Sequence, residues 1–140
     1  MSSANKLIII FFFITLCFPK MDAQWVRTNG PRNIAITSLA ANGNNLFAGT
    51  GMGGIFISTN NGNNWAQLSV DTTWSIYTIF VTNNNVFAGT YPGARLSTNN
   101  GANWSTISTG LPSEDIISFT ANGTYVFFRI QWARCLSIHR

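Results

Sequence analysis

The sequence predicts an all-β protein assembled from four-stranded antiparallel units of about forty residues. Three observations carry that expectation. First, the chain repeats itself. Leu46-Phe47-Ala48-Gly49-Thr50 returns as Val86-Phe87-Ala88-Gly89-Thr90 at a shift of forty, and Ser58 to Trp65 returns as Ser97 to Trp104 at thirty-nine. Second, the apolar stretches are short, β-branched and aromatic, and no period of 3.6 residues is sustained beyond residue 23. Third, Asn-Gly pairs such as Asn42-Gly43 and Asn61-Gly62 separate those stretches, where a hairpin needs residues that tolerate positive φ. Four short strands in a unit of this length describe a propeller blade, so the chain reads as a partial β-propeller.

Residues 1–23 stand outside the repeat. Lys6 precedes Leu7 to Phe18, where eleven of twelve residues are apolar; Pro19 ends the run, and Ala23 places a small residue ahead of Gln24. A positive start, a short apolar helix and a small residue at the cut describe a signal peptide that is removed on export. Twelve helical residues rise about 18 Å, short of a hydrocarbon core about 30 Å thick, so an uncleaved anchor is the poorer alternative, and a buried strand the poorest. The expected location is secreted, periplasmic or cell-surface, with membrane contact only during export.

Each later element follows from the repeat. Trp25 to Pro31 resembles Trp104 to Pro112, the fourth strand and exit of a blade, so residues 24–33 are expected to form a latch-like outer strand. Such a strand completes the last blade of a closed ring, which implies blades beyond those in this chain. Blade 1 is expected over 34–74, with strands at 34–40, 45–50, 55–58 and 65–70, and blade 2 over 75–113. Residues 114–127 begin a third blade, because Ile116 to Phe127 matches Ile36 to Phe47. After Phe127 the repeat requires a small residue and then glycine, whereas residues 128–140 open with Phe128-Arg129-Ile130. Shifting the coding frame by one base forces glycine at the Trp132-Ala133 junction and permits Ser-Gly at the start of the tail. The tail is therefore expected to be aberrant and out of frame, with a true divergent terminus as the alternative.

The element Ser-x-Asn-x-Gly-x-x-Trp stands at Ser58, Asn60, Gly62 and Trp65 and again at Ser97, Asn99, Gly101 and Trp104. It resembles the Asp-box, or BNR repeat, of sialidase-like β-propellers, over about Trp25 to Phe127. The resemblance implies a structural turn between the third and fourth strands of each blade. Relatives in that family include sialidases, xyloglucanase-type glycosidases, sortilin ectodomains and photosystem II assembly factor-like proteins. Here Asn replaces the usual Asp, which keeps the turn acceptor and removes its charge. Because the box is structural, it speaks for the fold and says little about activity.

Composition excludes several functions. Only 9% of residues are charged, and the formal charge is +4. Setting aside residues 1–23 and 128–140 leaves Arg27, Arg32 and Arg95 against Asp71, Glu114 and Asp115, a neutral repeat with no basic patch for nucleic acid. Gly49-Thr50-Gly51-Met52-Gly53-Gly54 matches G-x-G-x-x-G, but a strand rather than a helix is expected after it, so a β-turn is the better reading. A sialidase needs an arginine cluster and a Tyr–Glu pair, and other glycosidases need two facing carboxylates. Glu114 and Asp115 are chain neighbours in a loop, and Asp71 lies in the corresponding loop one blade earlier. No catalytic, cofactor or metal site is expected. His139 is the one histidine, and Cys17 and Cys135 are too few for a disulfide scaffold or zinc site. Asn103-Trp104-Ser105 and Asn122-Gly123-Thr124 are sequons expected to be unused, and Trp74, Tyr77 and Tyr91 are expected to pack rather than bind sugar. The sequence thus points to an exported, non-catalytic binding or scaffold module, or a truncated remnant of one, whose ligand is a protein or carbohydrate. The alternative is a fragment of an exported glycoside hydrolase, sialidase- or xyloglucanase-like, without its catalytic residues.

Overall fold

The computed structural model describes residues 27–68, 70–107, 110, 113–131 and, as backbone, 135–139. The expected signal-peptide helix, Cys17 and residues 24–26 of the expected latch lie outside these residues, as do the side chains of Cys135 and His139. The described residues form strands and turns without a helix. Blade 1 is the meander β1 (Ile36–Asn42), β2 (Asn45–Thr50), β3 (Ile55–Ser58) and β4 (Ala66–Gln67). Blade 2 repeats it with β5 (Thr78–Thr82), β6 (Asn85–Gly89), β7 (Ala94–Ser97) and β8 (Ser105–Thr106). Blade 3 has β9 (Ile116–Asn122), β10 (Tyr125–Ile130) and β11 (Cys135–His139), and every pairing within the blades is antiparallel.

Local chemistry explains where the strands stop. Two residues, Gly43-Asn44, connect β1 to β2, one position later than the Asn42-Gly43 turn expected, because Asn42 still pairs with Asn45. Gly43 holds φ of 59°, and Asn83 and Gly123 hold 54° and 55° at the same place in blades 2 and 3. The fourth strand, expected over 65–70, is only Ala66–Gln67. Trp65 stands just before it, with its indole N–H donating to the Gly62 carbonyl (3.1 Å) of the preceding turn.

The blades bury their faces against each other. Phe47 of β2, fully buried, packs with Ile76, Ile79, Val86 and Ala88 of blade 2. Phe119 of β9 meets Phe87 and Phe80 at ring-centroid distances of 5.8 and 6.5 Å, and Phe128 at 6.4 Å. A sheet covered on both faces needs apolar residues at consecutive positions, which is why Val86-Phe87-Ala88 of blade 2, between blades 1 and 3, does not alternate. Polar bonds fix the same stacking: the Ile76 amide donates to the Thr50 carbonyl (2.9 Å), and the Ile116 amide to that of Thr90 (3.4 Å). The Ile79 amide donates to the Ser38 hydroxyl (2.8 Å).

The break in sequence at Phe128 is not a break in the sheet. Val126, Phe128 and Ile130 keep the period of two, all three are buried, and β10 runs through to Ile130 with β11 paired beside it. What the stretch lacks is the repeat's glycine, since Arg129 occupies the position of Gly49 and Gly89.

Candidate functional site

The eight residues of the repeated element gather into two turns with the same bonds. In blade 1 the Ser58 hydroxyl accepts from the buried Gly62 amide (2.8 Å) and donates to Asn60 Oδ1 (3.0 Å), which in turn accepts from the Asn64 amide (2.9 Å). In blade 2 the Ser97 hydroxyl accepts from the Gly101 amide (2.8 Å) and donates to Asn99 Oδ1 (2.9 Å), which accepts from the Asn103 amide (2.9 Å). Trp104 closes its turn as Trp65 does, its indole N–H donating to the Gly101 carbonyl (3.0 Å). Asn61 and Asn100 join the two glycines at positive φ, so each turn holds two successive left-handed residues. These side chains are spent on the hairpin. Ser97→Ala is expected to lower stability by about 1–3 kcal/mol, since it leaves the Gly101 amide buried and unpaired. Urea unfolding checks this, and a loss no larger than at an exposed serine such as Ser105 would contradict it.

The sequence reading did not anticipate a polar cluster between blades 1 and 2. Arg95 occupies the β7 position that Phe56 holds in β3, and its guanidinium lies over the Trp74 ring at 4.4 Å. Nη1 donates to the carbonyls of Ala94 (3.2 Å) and Pro92 (3.4 Å), while buried Nε has no partner. Burial lowers the guanidinium's proton affinity and the nearby Asp71 carboxylate opposes this. Asp71 itself is held below the ordinary carboxylate range, first by the Thr73 hydroxyl (2.6 Å) and then by the Thr73 amide (2.9 Å). Burial, followed by the Asp115 carboxylate, raises the Tyr77 hydroxyl above its usual value. Of the three aromatics considered for sugar binding, Trp74 and Tyr77 are half-buried and Tyr91 is exposed. One signal was available: an arginine in the strand core of so charge-poor a chain needs a reason.

Blade 1 also carries an apolar groove of about 470 Å³, lined in part by Thr28, Pro31, Ile36, Leu39, Leu46 and Trp65. It lies on the face turned away from blade 2. Residues 27–33 run beside it outside any ladder, and the Asn29 side-chain amide donates to the Asn63 carbonyl (3.2 Å). Thr28 lies against Gly62 as Leu68 lies against Gly101, which puts this segment where the fourth strand of a preceding blade would run. Gly49 to Gly54 lead from β2 to β3, a strand, and offer no helix N-terminus to a phosphate. Among the described residues, no three of His, Cys, Asp and Glu come together as metal ligands.

The comparisons agree on the fold. The profile of the DUF6242 beta propeller domain matches residues 19–126. No curated protein matches the chain. Among solved structures, the chain is similar to an ancestral GH74 enzyme at 22% identity and a TM-score of 0.60, over 69% of this chain and 14% of that one. It is also similar to the computationally designed Ika4 protein, at 14% identity and a TM-score of 0.65, over 85% of this chain and 74% of Ika4. For the designed Ika8 protein the values are 14% and 0.55, over 69% and 30%. At such identities the likeness is one of fold, and this chain spans only 14% of the GH74 enzyme's length.

Proposed function

Since the chain belongs to the DUF6242 beta propeller domain family, we propose that it is an exported, non-catalytic binding or scaffold module whose two repeated turns are Asp-boxes with asparagine in the acidic place. The observation that supports this reading most is the use already made of the polar side chains. The serine and asparagine of each turn bond within that turn, and the Asp71 carboxylate is engaged by Thr73 beside it. Glu114 and Asp115 are adjacent in the chain, an arrangement unlike two carboxylates facing each other across a glycosidic bond. Export rests on the pattern of residues 1–23, and the ligand class is a protein or a carbohydrate. The likeness to a GH74 enzyme supports the second reading, a unit of a glycoside hydrolase whose catalytic groups lie on other blades. The purified chain is expected to release no fluorophore from a fluorogenic sialoside or xyloglucan oligosaccharide. Turnover that disappears in Glu114→Gln would overturn the non-catalytic reading.

A further inference from the structure

We propose that one end of the molecule, built from the hairpins β1–β2, β3–β4, β5–β6, β7–β8 and β9–β10, binds an uncharged polysaccharide. There the side-chain amides of Asn44, Asn64, Asn84 and Asn103 bond to sugar hydroxyls, and Tyr125 stacks on a sugar ring. The proposal rests on the binding-module reading and narrows its ligand to a neutral carbohydrate.

In an antiparallel meander the first and third connections fall at one end and the second at the other. Bonds between the connections make the first of these ends continuous. The Asn42 side-chain amide donates to the Asn83 carbonyl, joining blades 1 and 2, and the Asn100 amide donates to the Asn84 carbonyl (3.2 Å) within blade 2. Residues 42–45, 59–64, 82–85, 98–103 and 122–124, which form this end, are rich in asparagine and include no charged residue. Asp71, Glu114 and Asp115 stand at the opposite end, in the connections between blades.

Turn chemistry accounts for some of these asparagines and not for others. Asn60 and Asn99 accept backbone amides, and Asn61, Asn83 and Asn100 hold positive φ. The Asn63 side-chain amide donates to the Asn60 carbonyl (2.9 Å). Asn44, Asn64, Asn84 and Asn103 do none of this. They are exposed, their φ lies outside the left-handed region, and their side-chain amides bond to no described residue. By the repeat, Asn44 is equivalent to Asn84 and Asn64 to Asn103. The same unused amide therefore recurs at the same two places in each complete blade.

The chemistry of this end selects the ligand. A side-chain amide carries two donors and an acceptor without charge, which suits sugar hydroxyls that donate and accept alike. An uncharged surface offers no attraction to a phosphate or a carboxylate. A protein partner is usually held by aromatic, Met or Arg anchors. Among the described residues of these hairpins, the one large apolar side chain that is exposed is Tyr125. It opens β10 opposite Asn122, as Asn85 opens β6 opposite Thr82. Tyr125 is 48% exposed, and its ring centroid lies 6.4 Å from that of Phe127. A ring that is anchored yet half exposed supplies the apolar surface on which the C–H face of a sugar packs.

The test is affinity electrophoresis of the full chain through native gels containing xyloglucan, galactomannan or dextran, with polygalacturonate as the charged control. At least one neutral polysaccharide is expected to retard the wild type, equally at low and high salt. Asn84→Ala combined with Asn103→Ala, and separately Tyr125→Ala, should each raise the polysaccharide concentration needed by at least about tenfold. Tyr91→Ala, at the opposite end, should leave the retardation unchanged. Circular dichroism should find the double asparagine variant melting within about 2 °C of wild type; a larger fall would assign those amides to the fold and overturn the proposal. The proposal fails if no neutral polysaccharide retards the wild type, or if only polygalacturonate does and salt abolishes it. It fails too if Tyr91→Ala has the effect assigned to the asparagines. Retardation that survives both variants overturns this face and leaves the binding-module reading standing. Release of fluorophore from the glycosides would instead overturn the non-catalytic reading and leave the retardation as it is. Should Tyr125→Ala not fold, the asparagine variant decides alone.

Discussion

Gly89→Ala is expected to cost at least about 3 kcal/mol and to remove the cooperative part of thermal unfolding. The added Cβ would stand 2.1 Å from the Ile116 carbonyl oxygen, 2.6 Å from Thr78 Cγ2 and 3.0 Å from the Ile116 carbonyl carbon. Two of those atoms are backbone, so no rotamer change relieves the collision. Only separation of blades 2 and 3 does, and that exposes Ile116 and Phe128. Gly43→Ala is the control, because a Cβ there meets nothing within 4 Å and the cost is limited to its φ of 59°, about 1–2 kcal/mol. Urea unfolding of both variants against wild type measures the contrast. Losses equal within about 0.5 kcal/mol would show that the blades are not in contact at Gly89.

Phe47→Ala should destabilise the chain by about 3–5 kcal/mol, the range for deleting a buried aromatic ring from a packed core. Its ring joins the two complete blades, packing against blade 2 and lying 3.5 Å from the Cβ position of Gly101. Phe127→Ala removes the same ring two repeats further on, where it is half-buried, and should cost about 1–2 kcal/mol. Since the residue type and strand position are common to both, the difference between the two losses measures what a neighbouring blade adds. Equal losses in denaturant melts would contradict the stacking described for blades 1 and 2.

The features legible in the sequence are those held by local chemistry. Ser58 to Trp65 and Ser97 to Trp104 form their turns almost wholly with their own atoms, so the motif was sufficient to place them. Strand limits were less legible: Trp65 has strand propensity, yet the fourth strand is only Ala66–Gln67. The sheet's continuation past Phe127 was obscured because the lost glycine is conspicuous, whereas the alternation of Val126, Phe128 and Ile130 that sustains β10 is not. The Arg95–Trp74 contact joins β7 to the loop between blades, and no spacing rule connects residues across such a join. Exposure of Ile36 was illegible for a related reason. By sequence it is indistinguishable from Ile76 and Ile116, and only the third dimension shows that no blade among the described residues stands over it.

The two turns carry a consequence for the conditions under which the blades hold together. Their acceptors are a hydroxyl and an amide, Ser58 with Asn60 and Ser97 with Asn99, neither of which gains or loses a proton between strong acid and strong base. A carboxylate in the asparagine's place would bond the same amide more strongly, but would release it on protonation and weaken with salt. The neutral version exchanges strength for constancy: the clasp between the third and fourth strands stays closed in acid and brine alike, and the blades' tolerance of either is set elsewhere in the molecule.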